Sequence, residues 1–436
     1  MGKYISVGVG TSFNSEPFKA GKEAAEASLK NADAKKGTFS IAFVDSRYSN
    51  PEKILEGINS VLGKAWIGCS VDRQFNDEEG YIENKAVTVT TIVTEYMHFG
   101  VGYVNNYRSD PADSGKKAIQ MAISNIKIDQ YIDPYIQFRR TKTKTFADIV
   151  RTPPYFILTI PSGTYFENKQ VVMGRETEFI EGILDVTGAS VPIFGFVSNS
   201  DFDKFMKEGV GDNFQFADGK LLQKGGICVF VVSNLYFSHG LAHGYITTDK
   251  YAMITKLDPS GHIVKEINGK PSVDEYCRLV GIKKEEFLKD PYKYTLTRSI
   301  AVIDSEGENY IKAMGTTPDG KYLFSQAKLA PRSGVGIVTF DKKTVLSGIV
   351  EAMDKANKNL KDKVPAIVLA ASCSARRAVL GADVPLEIKA FKKAYRKVPC
   401  VGFFTFGEIG SNKNKACQLN EQTITLLTIY DDLITE

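Results

Sequence analysis

Short unbroken apolar runs alternate along the chain with longer stretches in which apolar side chains recur every three or four positions. IAFV (41–44), AIVLAA (366–371) and PCVGFF (399–404) are runs of the first kind. They predict central strands covered on both faces. In DKKTVLSGIVEAMDKANKNL, Val345, Ile349 and Met353 fall on one helical face, and Asp341 stands where a helix start needs a cap.

The first segment runs VGVGTSF, EPFKAGKEAAEASLKN, FSIAFVDSR, PEKILEGINSVLG, AWIGCSVD and AVTVTTI. The last runs SGVGIVTF, DKKTVLSGIVEAMDKANKNL, PAIVLAASCSAR, PLEIKAFKKAYRK, VPCVGFFTFGE and QTITLLTIY. Both predict strand, helix, strand, helix, strand and a closing strand, so the two ends are expected to be pseudo-repeats. A partial third copy lies between them: PYFILTIPS, the helix GRETEFIEGILDVTG closed by Gly188, and VPIFGFVSNSD. NFQFADGKLLQKGGICVFVVSN and YAMITKLDPSGHIVKEING predict antiparallel hairpins turned at ADG and PSG. The mixture predicts an α+β fold of layered mixed sheets with helices. The expected division is 1–235, with two pseudo-repeat units and a basic connector RRTKTKTF near 139–154, and 236–436.

Composition removes several function classes. The 436 residues carry 55 basic and 51 acidic side chains, a net charge of +4 with no dominant field, so no nucleic-acid or membrane partner is expected. Six cysteines without CxxC spacing predict reduced, packed thiols. No leader pattern opens the sequence, and no apolar stretch approaches the roughly 20 residues of a membrane helix, so a cytoplasmic location is expected. Gly2 and Ser6 fit a myristoylation pattern, but they start a β-rich run that would bury them.

The ordered set GVGTS, IAFVDSRYS, WIGCS, ILTIPSG, VPIFGFVSNSDF, SHGLAHGYITTDKY, ASCSARRAVLG, VGFFTFGEIG and LNEQT resembles the FIST family, a signal-transduction sensory domain with N-terminal and C-terminal parts. The resemblance implies a sensory module for a small ligand, an amino acid or related metabolite, acting with a downstream signalling protein. Some relatives are described as haem-bearing nitric-oxide sensors, which makes haem the one cofactor to consider. One departure stands out. The family's first strand end runs Gly-Cys-Ser-Thr and then Gly-Glu, whereas this chain has Gly68, Cys69, Ser70, Val71, Asp72 and Arg73; of the two strand ends only the later one keeps the pair, as Gly407 and Glu408.

Candidate chemistry gathers at predicted strand ends, where loops converge and ligands sit. Arg47 and Arg376 each follow a core strand, and a guanidinium there suits a carboxylate. Glu408 is placed to meet an ammonium group, with Asn420 and Thr423 on the same rim and Ser70 at the first strand end. The alternatives are an ion pair between Arg376 and Glu408 and a turn role for Asn420. Gly407 is expected to permit close backbone approach. Cys373 is expected to line the pocket as a packed thiol; a nucleophilic role would need a base, and no histidine lies near it in sequence. This leaves catalysis open as an alternative. His239 and His243 are spaced like chelators, but Gly240 and Gly244 disfavour a helix, and on a strand they stand about 13 Å apart, so no metal site is expected. His98 beside Met97 is the candidate axial ligand for a haem, which without a CxxCH motif would be non-covalent; the alternative, and the favoured one, is a histidine satisfied within a hairpin. Gly8-Val9-Gly10 and Gly334-Val335-Gly336 lack the third glycine of a dinucleotide fingerprint and read as tight turns before helices.

Overall fold

The structure is a computed structural model that describes residues 2–127, 129, 154–167, 170–189, 191–304, 307–358, 360–395, 398–411 and 416–434. Apart from Pro154, the connector expected near 139–154 lies outside the described residues.

Three six-stranded sheets share one connectivity. In the first, strand Ser6–Ser12 lies at the edge, followed by Val87–Val93, Phe39–Asp45 and Trp66–Val71. In the second the order is Met97–Val104, Gly226–Ser233, Tyr155–Pro161 and Ile193–Phe196. In the third it is Leu235–Ala242, Ile424–Leu433, Pro365–Cys373 and Cys400–Thr405. Each sheet is then extended by a hairpin from another one's chain segment. Gln74–Asn76 with Gly80–Ile82 joins the third sheet, Phe214–Ala217 with Lys220–Gln223 joins the first, and Glu408–Gly410 with Gln418–Asn420 joins the second. This exchange ties the sheets together through main-chain hydrogen bonds.

The inner faces of the sheets bury one common core. Phe43, Phe196 and Phe403, one from each sheet, meet with ring centroids 4.3 Å apart for Phe43 and Phe403, 4.4 Å for Phe196 and Phe403, and 5.8 Å for Phe43 and Phe196. Helices cover the other faces: Pro17–Asn31 with Pro51–Leu62, Pro111–Ser124 with Glu176–Thr187, and Lys342–Asn357 with Val384–Ala394. Both faces of the central strands are therefore dry, as their unbroken apolar runs require.

SGVGIVTF is not the first strand of the third sheet, contrary to the expectation. Gly334–Thr339 pairs instead with Arg298–Ile303 and Ile246–Leu257 in a further eight-stranded sheet, which is inserted between Leu235–Ala242 and Lys342–Asn357 and has its own core around Ile254, Tyr276, Phe287 and Val335. The first strand of the third sheet is LYFSHGLA. Its glycine explains the choice. A Cβ on Gly10 would stand 2.2 Å from Ala24 O, one on Gly102 2.0 Å from Ala118 O, and one on Gly240 1.9 Å from Ala352 O. In all three sheets a first-strand glycine admits the backbone of the following helix. Among the described residues nothing lies within 4 Å of such a Cβ on Gly334.

Candidate functional site

Strands Pro365–Cys373 and Cys400–Thr405 run parallel and end level, with Cys373 opposite Thr405. Past their ends lies a cavity of about 80 Å³. The strand ends and the next residues supply Cys373, Ser374, Ala375, Thr405 and Phe406, and the turn before the closing strand supplies Gln422. Helix Phe202–Glu208 adds Phe202 and Phe205, the inserted unit adds Tyr292, Leu296, Ala313, Met314, Phe324 and Gln326, and Thr164 and Met173 complete the lining. None of these lining side chains is charged.

Cys373 lines the cavity wall. Its N–H donates to Thr423 O at 3.0 Å, and its thiol faces the N–H groups of Ala375 and Gln422. Burial pushes the thiol well above the ordinary cysteine range, with the nearby Glu408 adding to the shift, so it is neutral at pH 7. Glu408 is fully buried behind it: Oε2 accepts from Thr423 N at 3.1 Å and Thr423 Oγ1 at 2.6 Å, while Oε1 has no partner among the described residues. Burial drives this carboxyl well above the usual range. A Cβ on Gly407 would lie 2.8 Å from Leu419 Cδ1 and 3.2 Å from Val197 Cγ2, so glycine allows the exchanged hairpin to cross there. Asn420 Nδ2 donates to Gln418 O at 3.0 Å and to Gly410 O at 3.2 Å, which makes it a clamp within the hairpin.

The arginines lie elsewhere. Arg376 forms no ion pair with Glu408 and does not line the cavity. Its position in helix Ser374–Leu380 turns the guanidinium toward His243 O at 2.8 Å, Val345 O at 2.9 Å and Glu387 Oε1 at 3.4 Å. Arg47 is bidentate to Asp45, at 2.8 and 2.5 Å, and lines a separate cleft of about 340 Å³ beside Lys204, Asp201 and Asp212. Ser70 Oγ donates to Asn199 O at 2.9 Å and accepts from Phe214 N at 3.1 Å, which occupies it in joining the first sheet to the second unit.

Several residues at the site carried no sequence signal. Asp72, at the position where the family pattern departs, is fully buried; its Oδ2 accepts from Arg377 Nε at 2.9 Å, and its Oδ1 lies 3.2 Å from Arg73 Nη1 and 3.1 Å from Phe202 N. Arg73 also reaches Asp201 at 3.1 Å, and Arg377 reaches Asp203 at 3.3 Å. These pairs hold the start of helix Phe202–Glu208 over the cavity. Gln422 adopts a left-handed φ of 58° although only 1 % exposed. That is a strained position for a side chain of this kind. Behind the wall sit Glu176, neither of whose oxygens has a hydrogen-bond partner among the described residues, and Glu421, whose Oε2 accepts from Ala313 N at 3.2 Å near the buried Lys312. Burial pushes each carboxyl up to about 7.

The histidines are engaged in the framework. His239 Nε2 lies 2.7 Å from Ser411 O, Tyr245 N–H donates to His243 Nδ1 at 2.9 Å, and His98 sits in a strand opposite Val232. Among the described residues no cluster of three or more His, Cys, Asp or Glu side chains is placed to hold a metal ion, and no helix is long and apolar enough to cross a membrane.

The FIST N domain matches residues 38–270 and the FIST C domain residues 272–411. The chain belongs to the FIST family. FIST domains are sensory domains of signal transduction. An uncharacterized protein of Methanocaldococcus jannaschii is 27% identical over 256 residues, which cover 52% of this chain and 47% of the relative; the FIST chain thus spans about half the length of the curated relative it matches. Among solved structures, the cyanuric acid hydrolase of A. caulinodans has a TM-score of 0.28 and 8% identity, over 53% of this chain and 71% of the other. A likeness at that level carries no argument.

Proposed function

We propose that this FIST chain senses a small, uncharged ligand in the cavity beside Cys373 and passes its occupancy to a downstream signalling protein. One observation carries the reading: the cavity is walled jointly by the strand ends of the third sheet, by helix Phe202–Glu208 and by the inserted unit, so an occupant touches three separately built parts at once. An uncharged ligand follows from a wall without charged side chains, because a bare carboxylate or ammonium there would lose its hydration without compensation. The neutral thiol of Cys373 fits a wall residue better than a nucleophile.

Thermal-shift screening of uncharged and charged small molecules tests this, with Ala375→Leu as the cavity-filling variant. Ligands that raise the melting temperature of the parent but not of the variant are expected. A panel whose stabilising members act equally on both proteins would refute it.

A second reading keeps an amino acid or small carboxylate as the ligand and places it in the cleft at Arg47. There Lys204 stands beside Arg47, and among the described residues the hydroxyls of Ser46 and Ser200 have no partner. Loss of amino-acid stabilisation in Lys204→Met, with Ala375→Leu unaffected, is the result this reading expects.

A further inference from the structure

The inserted unit hangs on two adjacent strands. The chain enters and leaves it side by side, with Ile246 paired to Thr339, and Gly244 turns the entering strand at a left-handed φ of 79°. Beyond that attachment the unit docks on the frame through side chains. Its Ala313 N–H donates to Glu421 Oε2 at 3.2 Å, its Lys312 Nζ lies 3.5 Å from Leu419 O, and its His262 Nε2 lies 4.0 Å from Glu178 Oε1. The same unit walls the cavity beside Cys373 with Tyr292, Leu296 and Phe324.

This docking contact is dry and carries titratable groups from both sides. Glu176 and Glu421 are each 1 % exposed, and Lys312 and His262 are buried with them. Among the described residues neither oxygen of Glu176, and not Oε1 of Glu421, has a hydrogen-bond partner. A Cβ on Gly174 would stand 1.9 Å from both Glu176 oxygens, so backbone carbon closes over them where a donor would be needed. A carboxylate placed there loses its hydration without compensation and holds a proton instead. The neighbours do not reverse this. Arg108 faces Glu176 but directs its guanidinium to the carbonyls of Met173 and Gly163, and Tyr107, Glu178 and His262 are the other titratable groups around that carboxyl. Glu421 is faced by Lys312, Glu176, Glu408 and the Cys373 thiol.

Burial brings both carboxyls to about 7 from an ordinary 4.5. Their protonated forms therefore support docking fully below pH about 4.5, and that support is lost as pH rises through about 7. Burial lowers His262, but Glu178 and the Ser325 carbonyl outweigh it and leave the imidazole raised, so its contribution is lost in the same direction. Glu178 stays ionised: burial raises it, yet His262 and Arg175 hold it at about 2. Lys312, which burial lowers against the pull of Glu421, works in the opposite sense, its contribution growing as pH rises toward 10.5.

We propose that the inserted unit is a proton-operated lid over the cavity, docked while Glu176 and Glu421 are protonated and released when they ionise. The lid needs only its place in the cavity wall and stands apart from what the cavity binds.

Labelling of the full chain with N-ethylmaleimide at pH 5.5 and pH 8, read cysteine by cysteine by peptide mass spectrometry, tests the proposal. Dividing the rate in the urea-unfolded chain by the folded-state rate at the same pH gives a protection from which the thiol's own titration cancels. Each carboxyl that moves from about 7 when docked to 4.5 when released changes the opening equilibrium by up to about 30-fold over this range. Protection of Cys373 is expected to fall about tenfold or more from pH 5.5 to pH 8, and at pH 8 to lie well below that of Cys69, which only global unfolding exposes. In the double variant Glu176→Gln with Glu421→Gln, whose amides cannot ionise, the fall should shrink to under about threefold. Glu176→Gln alone should cut it at least about threefold, which keeps the test open if the double variant does not fold. Protection of Cys373 that is independent of pH, that equals the protection of Cys69 at pH 8, or that falls as far in the glutamine variants as in the parent overturns the lid and leaves the ligand reading untouched.

Discussion

Arg377 Nε donates to Asp72 Oδ2 at 2.9 Å, joining residues 305 positions apart at the ends of strands in different sheets. Asp72 is fully buried and also serves Arg73 and the N–H of Phe202, so one carboxylate fastens the first sheet, the third sheet's helix and the helix over the cavity. Burial by itself raises the Asp72 carboxyl, and Arg377 and Arg73 oppose that rise.

Asp72→Asn is accordingly expected to cost about 3–5 kcal/mol, the range for removing one partner of a buried ion pair. Urea denaturation provides the measurement. In the double variant Asp72→Asn with Arg377→Met the loss should be smaller than the sum of the two single losses. Strict additivity would show that the pair is not coupled.

Glu176 makes stability depend on pH. Its carboxyl titrates near 7 in the fold, against 4.5 as the reference value, because burial penalises the charged form. The folded protein therefore holds a proton that the unfolded chain has released. Its contribution is complete below pH about 4.5 and is lost as pH rises through about 7. Glu176→Gln should match the parent at pH 4 and exceed it at pH 8 by about 3 kcal/mol, the difference set by the shift. Guanidinium unfolding curves at the two pH values decide it; an equal difference at both would remove the titration as the cause.

The two GVG sequences should respond differently to added methyl groups. Gly10→Ala places a Cβ 2.2 Å from the Ala24 carbonyl and 2.4 Å from Ser28 N, where only a shift of the helix relieves the overlap. A cost of about 1–3 kcal/mol or more is expected. Gly334→Ala meets open space and should stay within about 0.5 kcal/mol of the parent. Melting temperatures of the two variants give the comparison.

Cys373 should react slowly. All six cysteines are buried, and burial holds the Cys373 thiol well above its usual range. Iodoacetamide at pH 7 is expected to label the folded protein at least a hundredfold more slowly than the urea-unfolded chain, read by peptide mass spectrometry. Rapid, selective alkylation of Cys373 in the folded state would instead revive a nucleophilic role.

Much of the site's frame was legible. Unbroken apolar runs marked the strand that ends at Cys373 and the one that precedes Glu408; Glu408, expected on the rim to meet an ammonium group, instead begins a strand of the second sheet and is buried, held by Thr423. Arg376 and Arg47 do not meet at one site, because Arg376 stands in the first turn of a helix and Arg47 in the turn that follows its strand. Arg376 found carbonyls and Glu387 there, and Arg47 found its own neighbour Asp45. Gln422 went unnoticed because its left-handed backbone has no signature in LNEQT. The inserted sheet was misread because GVG before a helical pattern looks the same whether or not that helix packs on it.

What the chain determines by itself is local: which stretches become strand or helix, and where glycine must stand, since side-chain volume and periodicity act between near neighbours. Tertiary structure alone decided which strand adopts which hairpin, which carbonyls and carboxylates each guanidinium meets, and which elements wall the cavity. Apolar strands of similar pattern are nearly interchangeable partners, and long polar side chains choose among carbonyls and carboxylates brought close only by the finished fold.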